Sequence, residues 1–200
     1  MNLLDIAAYT GIFVFAITGA LKARSYKLDI FGAAVLAFVT AYGGGTLRDL
    51  LIGIRPVSWV NTNIALVLLL AATGLTFFFK SGSLHLKRLI FYTDAAGLGL
   101  FTITGIEKSL RFGINEEYAV MMGVITATFG GLIADILCNA VPNLLKRGEL
   151  YATVSLIGGI IYVLMKNVAV EDNTSLIICV VLTVAIRIYS KRKRLRLPEI

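Results

Sequence analysis

Three charged residues stand where a charge is expensive: Arg48, Asp49 and Asp135 lie well inside long apolar stretches. A charge at the centre of a membrane span costs on the order of 3 kcal/mol on insertion scales, so such a group faces a partner or water. Asp49 follows the run Gly43-Gly44-Gly45 by four residues, and Asp135 follows the pair Gly130-Gly131 by four. Three consecutive glycines weaken a helix by roughly 3 kcal/mol relative to alanine. Lipid tolerates this where other helices or water satisfy the loosened backbone. The chemistry such a pattern offers is passage or binding of an ion beside a helix break. The plainer reading is close helix packing through small residues. Recurrence of glycines and acid together favours the functional break. Arg48 balances one aspartate, and Ala134 stands at its counterpart in the second cluster. About one negative charge is then in excess if both acids ionise, and an aqueous path there would favour cations. Protonation of one acid in a dry site would remove that excess.

The counterpart relation extends far beyond these clusters. With an offset of 86 positions, Gly11 to Pro56 lies on Gly97 to Pro142 without a gap and matches at 14 of 46 positions. The matches include Phe15/Phe101, Thr18/Thr104, Gly19/Gly105, Lys22/Lys108, Thr40/Thr126, Gly44/Gly130, Gly45/Gly131, Asp49/Asp135 and Pro56/Pro142. Chance apolar matching does not produce identities at Gly, Asp, Lys and Pro. Such a duplication points to a permeation or binding site at the interface of the repeats. Lys22 and Lys108 close equivalent segments. Snorkelling to the headgroups is the plain role of both, and a response to membrane voltage is the sharper one for Lys108. Thr18, Thr104 and Lys108 are therefore candidate gating residues. Asp94 has Ala8 as its counterpart and reads as a polar cap or an internal pair.

The elements that must position these residues are membrane helices. The chain has 200 residues, 58% hydrophobic and 16% charged, and a mean hydropathy of +0.84. A soluble domain carries about 25% charged residues. Apolar blocks of roughly 18–22 residues cross about 30 Å of hydrocarbon. The fold class expected is an all-α polytopic membrane protein of seven spans, about 3–22, 30–52, 62–79, 89–106, 117–139, 150–166 and 174–190. Three helices per repeat, an odd number, invert the second repeat relative to the first. The division expected is residues 1–85, the first repeat; 86–170, the inverted second; and 171–200, an added helix with a basic tail. Basic residues number 13 on one side of the spans and 4 on the other, so the first side is cytoplasmic, with the N-terminus outside and the C-terminus inside. The first segment has its basic residues after it, so it reads as a retained helix, not a signal peptide.

The remaining features narrow the function. The net charge of +7 gathers in Lys191, Arg192, Lys193, Arg194 and Arg196, a juxtamembrane anchor for anionic lipid; no aromatic-interleaved basic stripe suggests nucleic acid. Cys138 and Cys179 are the two cysteines and His85 the single histidine, so neither a metal site nor a cofactor is expected. An aspartyl protease built on Asp49 and Asp135 lacks the Gly-x-Gly-Asp context, because Arg48 and Ala134 precede the acids; no enzyme is expected.

The run Gly43-Gly44-Gly45-Thr46-Leu47-Arg48-Asp49, with Gly53 and Pro56, resembles the bacterial family whose repeated domain is labelled "glycine transporter". So do Asp94 through Gly105, Gly130-Gly131 with Asp135, and the stretch from Pro142 to Ala152. Prokaryotic TRIC channels, the trimeric intracellular cation channels, belong to this group. The resemblance implies a homotrimer in a bacterial inner membrane, in contact with membrane lipids. It implies one pore per subunit for monovalent cations such as potassium and sodium, running between helices 2 and 5. It places Gly43, Gly44, Gly45, Arg48 and Asp49 on one side of that pore, and Gly130, Gly131 and Asp135 on the other. The Lys-Glu-Val motif of the animal members' fifth helix is absent. The other reading is a carrier for a small zwitterion such as glycine, with Arg48 on the carboxylate and an aspartate on the ammonium group.

Overall fold

The computed structural model describes residues 2–76, 84–146, 150–195 and 197. The expected end of the third span near 79, with Lys80, Arg147 and Arg196 of the basic side, lies outside the described residues. Seven α-helices form the described fold, with no strand: α1 Leu3–Ser25, α2 Ile30–Leu51, α3 Asn63–Thr76, α4 Leu84–Arg111, α5 Glu116–Leu137, α6 Ala152–Asn167 and α7 Asp172–Lys193. α1, α2, α4, α5 and α7 are long and apolar enough to cross a membrane, whereas α3 and α6 are shorter.

Local chemistry sets several ends. Asn2 opens α1 with a capping box: its side chain accepts from Asp5 N–H at 2.9 Å and its own N–H donates to Asp5 at 3.1 Å, satisfying two orphan donors at once. Asp29 opens α2 by accepting from Gly32 N–H at 2.8 Å. α4 is longer than its apolar run suggested, and at its C-terminal end the added residues carry charges that are paired inside the protein. Buried Glu107 accepts from Tyr162 Oη at 2.8 Å and Lys166 Nζ at 2.5 Å, which ties α4 to α6.

The expected glycine breaks are absent: α2 and α5 run as continuous α-helix through Gly43–Gly45 and Gly130–Gly131. The glycines serve approach. A methyl on Gly44 would overlap the Thr126 carbonyl oxygen of α5, and a methyl on Gly130 would overlap the Thr40 carbonyl oxygen of α2. Backbone-to-backbone contact replaces side-chain packing and offsets the propensity loss. Gly44 and Gly130 are counterparts in the duplication, as are Thr40 and Thr126, so the contact is reciprocal about a pseudo-two-fold axis.

Other contacts obey the same axis. Phe15 and Phe101 meet edge-on with centroids 4.9 Å apart, each ring filling the space over the other repeat's glycine, Gly97 or Gly11. α1, α2, α4 and α5 pack mutually around this axis, and α7 lies against α4 and α6. The core here is alanine, glycine and aromatic rings: Ala16, Ala20, Ala37, Ala41 and Ala127 with Phe15 and Phe101.

Candidate functional site

Two cavities flank the α2–α5 contact, and the 86-position offset exchanges their walls. The first, about 410 Å³, is lined by Gly45, Asp49, Thr104, Lys108 and Thr126. The second, about 290 Å³, is lined by Gly131, Asp135, Thr18, Lys22 and Thr40, the counterparts of those five residues. The first lies at the N-terminal half of α1, along Leu4, Tyr9 and Ile12, and the second at its C-terminal half, along Thr18 and Lys22. They therefore occupy opposite ends of the bundle. Thr40 and Thr126 stand nearest the axis, one to each cavity, and each hydroxyl donates to its own helix, to Leu36 O or Met122 O at 2.6 Å.

Each carboxylate is only 1% (Asp49) or 4% (Asp135) exposed, and burial at that level demands partners. Asp135 Oδ1 accepts from Lys22 Nζ at 2.5 Å, and Oδ2 from Asn143 N–H at 2.9 Å. Asp49 Oδ1 accepts from Arg48 Nη2 at 2.7 Å and Nε at 3.0 Å, with Lys108 Nζ at 3.5 Å. Asp49 Oδ2 accepts from Ser58 N–H at 2.9 Å and from the Ser58 hydroxyl; Lys108 also contacts that hydroxyl. The lysine of each repeat thus meets the aspartate of the other. The two aspartates, in separate cavities, form no dyad.

This geometry corrects the charge count. Lys22 and Lys108, read as closing their helices, enter the site, so three cations (Lys22, Arg48, Lys108) meet two carboxylates (Asp49, Asp135). One positive charge is in excess, where the sequence suggested one negative. The error came from counting charges only within apolar runs: a lysine stem lets an ammonium reach in from the end of a helix.

The other expected site residues divide between axis and walls. Gly43 faces Gly130 and Ile133 at the α2–α5 contact, and Gly45 sits beside Arg48 in the first cavity. Thr18 Oγ1 donates to Thr93 Oγ1 at 2.8 Å in the second. Asp94 is an internal partner, accepting from Tyr151 Oη at 3.0 Å. Buried Arg187 of α7 donates to Leu150 O at 3.0 Å and stacks over Tyr151 and Phe91, with distances of 4.8 and 5.3 Å to the ring centroids. Sequence reasoning passed over Arg187 because α7 has no counterpart in the duplication. It missed Ser58 and Asn143 because Ser58 lies in a turn and Asn143 opens a three-residue 3-10 helix, one residue out of register with each other. The pairing of Lys22 and Lys108 was open to it, since both lysines and both aspartates are counterparts.

The glycine transporter family model matches the chain twice, over residues 5–81 and 91–167. The chain belongs to this family. The UPF0126 inner membrane protein YadS of Escherichia coli K12 is 38% identical over 190 residues, covering 94% of this chain and 91% of its own. The TRIC trimeric intracellular cation channel orthologue from Rhodobacter sphaeroides is 34% identical and superimposes with a TM-score of 0.91, covering 98% of this chain and all of its own. A second solved structure, described under conductance through TRIC cation channels, is 35% identical with a TM-score of 0.85, covering 100% of this chain and 98% of its own. The resemblance to prokaryotic TRIC channels drawn from the sequence holds over nearly the full chain.

Proposed function

We propose that this protein is a monovalent cation channel whose path in each subunit runs from the Asp49 cavity to the Asp135 cavity across the α2–α5 contact. The observation that carries this reading is the match at 34% identity and a TM-score of 0.91 to a solved trimeric cation channel, across 98% of the chain. Two carboxylate-bearing cavities related by the duplication supply the path's polar walls. Gly43, Gly44 and Gly130 bring the helices together at its narrow point; Gly45, Arg48 and Asp49 line one side, and Gly131 and Asp135 the other.

In this arrangement each carboxylate is covered by a lysine. An ion gains access when the lysine swings out, which makes Lys22 and Lys108 the gating groups, with Thr18 and Thr104 one turn before them. Lys108 sits farther from its aspartate, 3.5 Å against 2.5 Å, and is the one a membrane potential moves more easily. Residues 1–85 and 86–170 act as the two inverted halves, with 171–200 as an added helix and basic tail. The basic side faces the cytoplasm, so the Asp49 cavity opens outward and the Asp135 cavity inward. The assembly is a homotrimer in the inner membrane, each subunit keeping its own path, because the two cavities are exchanged within one chain.

Purified protein in a planar bilayer tests the function directly. Unitary current steps that reverse near the potassium equilibrium potential in a KCl gradient are expected. Saturable uptake of a zwitterion without steps would establish a carrier instead.

A further inference from the structure

We propose that the Asp49 cavity is also a binding site for an amphipathic organic carboxylate, a compact apolar or aromatic body ending in one anionic group. The charge on its walls sets the sign of the ligand. Arg48 and Lys108 share the single carboxylate of Asp49; the lining's other two charges are one of each sign, Arg111, 3.9 Å from Glu107, and Asp5 in the capping box of α1. The walls keep one positive charge.

The hydrogen-bond inventory places that charge at two donors. Both Asp49 oxygens are occupied, by Arg48 and Lys108 on one and by Ser58 on the other. Arg48 spends Nε and Nη2 on Asp49, and its Nη1 reaches only Thr126 Oγ1, at 3.5 Å, the limit of a hydrogen bond. The Thr126 hydroxyl is itself directed to Met122 O. Arg48 is 7% exposed, so Nη1 is a largely buried donor with a marginal acceptor. A guanidinium fork is the group best matched to a carboxylate, and the Lys108 ammonium lies beside it. An ammonium-bearing ligand finds both Asp49 oxygens occupied, and the other carboxylate on the lining, Asp5, accepts from Asn2 N–H at the start of α1.

The rest of the cavity suits the apolar body. Tyr9, Ile12, Trp59 and Phe101 line it, and Trp59 is fixed by a 2.9 Å hydrogen bond to Thr46 and an edge-on contact with Phe38. A volume of about 410 Å³ falls within the roughly 300–1,000 Å³ typical of small-molecule sites, apolar walls with a few convergent polar groups. The Asp135 cavity is lined by more cations, Lys22, Lys87, Lys146, Arg187 and Lys191 against Asp94 and Asp135, but it is smaller, about 290 Å³, has no tryptophan on its wall, and carries Ala134 at the position of Arg48.

Trp59 is the only tryptophan in the chain, so its fluorescence reports occupancy of this cavity. Full-length protein in maltoside micelles is titrated with 4-phenylbutyrate, 4-phenylbutyramide, 4-phenylbutylammonium and phenylalanine. The expected result is a saturable change with the carboxylate, at least tenfold tighter than with the other three. Arg48→Gln and, independently, Lys108→Gln weaken it about tenfold or more, Lys108→Arg restores it, and Lys22→Gln leaves it unchanged. Equal affinity for the amide would reduce the site to an apolar void. Tighter binding of the ammonium ion or of phenylalanine would overturn the sign of the site, and no saturable response to any probe would overturn the site itself. The readout needs no current, so it stands or falls apart from the channel reading.

Discussion

At the Asp49 end, Arg48 and Lys108 lean on one carboxylate; at the Asp135 end, among the described residues, Lys22 alone does. The glycines, threonines, lysines and aspartates of the two cavities are exchanged by the same 86-position offset. The electrostatics are not. Arg48 against Ala134 adds a cation to the first cavity. The second draws on residues outside the duplicated stretch, since Arg187 and Lys191 of α7 and Lys146 line it together with Lys87 and Asp94. Duplication therefore fixes the frame, and single unmatched residues fix the charge. The seventh helix is part of one cavity wall and not a bystander.

The largest expected effect tests this asymmetry. Asp49→Asn leaves Arg48 and Lys108 without a counter-charge, whereas Asp135→Asn releases only Lys22. Removing one partner of a buried ion pair is strongly destabilising, about 3–5 kcal/mol, because a charge is left uncompensated. Asp49→Asn is expected to lower unitary potassium conductance about tenfold or more and to depress the apparent Tm. Asp135→Asn should lower conductance only a few-fold. Single-channel recording in symmetric KCl measures both, and equal losses would mean that Arg48 plays no electrostatic part in the path.

Much of the frame was legible because a membrane restricts what a chain can do. Apolar runs locate helices, and an odd number of them per repeat compels inversion. Helix ends are less legible, as α4 shows: Lys108 reads as snorkelling to the headgroups, yet it reaches the 58 turn, and Glu107, just past the expected end at 106, is satisfied by α6. The glycine clusters were located correctly as special but misread as breaks. Propensity describes an isolated helix, and it cannot register that Gly44 and Gly130 each meet a carbonyl across the axis. The sign of the site was misread for a related reason, since the side chains that decide it arrive from other helices.

The axis itself is where the two halves should behave alike. Gly44→Ala and Gly130→Ala each force a methyl against a backbone carbonyl oxygen. Backbone yields less readily than a side-chain tip, and overpacking of this kind costs about 1–3 kcal/mol. At roughly 2–4 °C per kcal/mol for a chain of this size, both variants should lose several degrees in apparent Tm, by similar amounts. A loss at one glycine with none at the other would break the reciprocity that the duplication imposes on the contact.

The smallest effect concerns the two lysines. Lys22 and Lys108 are counterparts, but Lys108 shares its aspartate with Arg48 and lies 3.5 Å from it, against 2.5 Å for Lys22. Its side chain is also the more exposed of the two, 29% against 12%. A unit charge moved across the full membrane potential gains about 2.3 kcal/mol per 100 mV, and a lysine that moves through a fraction of the field gains that fraction. Lys108→Gln removes the looser charge and should flatten the voltage dependence of open probability, while Asp49 keeps Arg48 as its partner and the cavity stays intact. Lys22→Gln strips Asp135 of the cation that pairs with it among the described residues, so it should lower the apparent Tm and raise cation conductance modestly, with voltage dependence little changed. Open probability measured over a range of potentials separates the two outcomes. A flattened voltage curve in Lys22→Gln with none in Lys108→Gln would transfer the voltage-responsive role to the other end of the path.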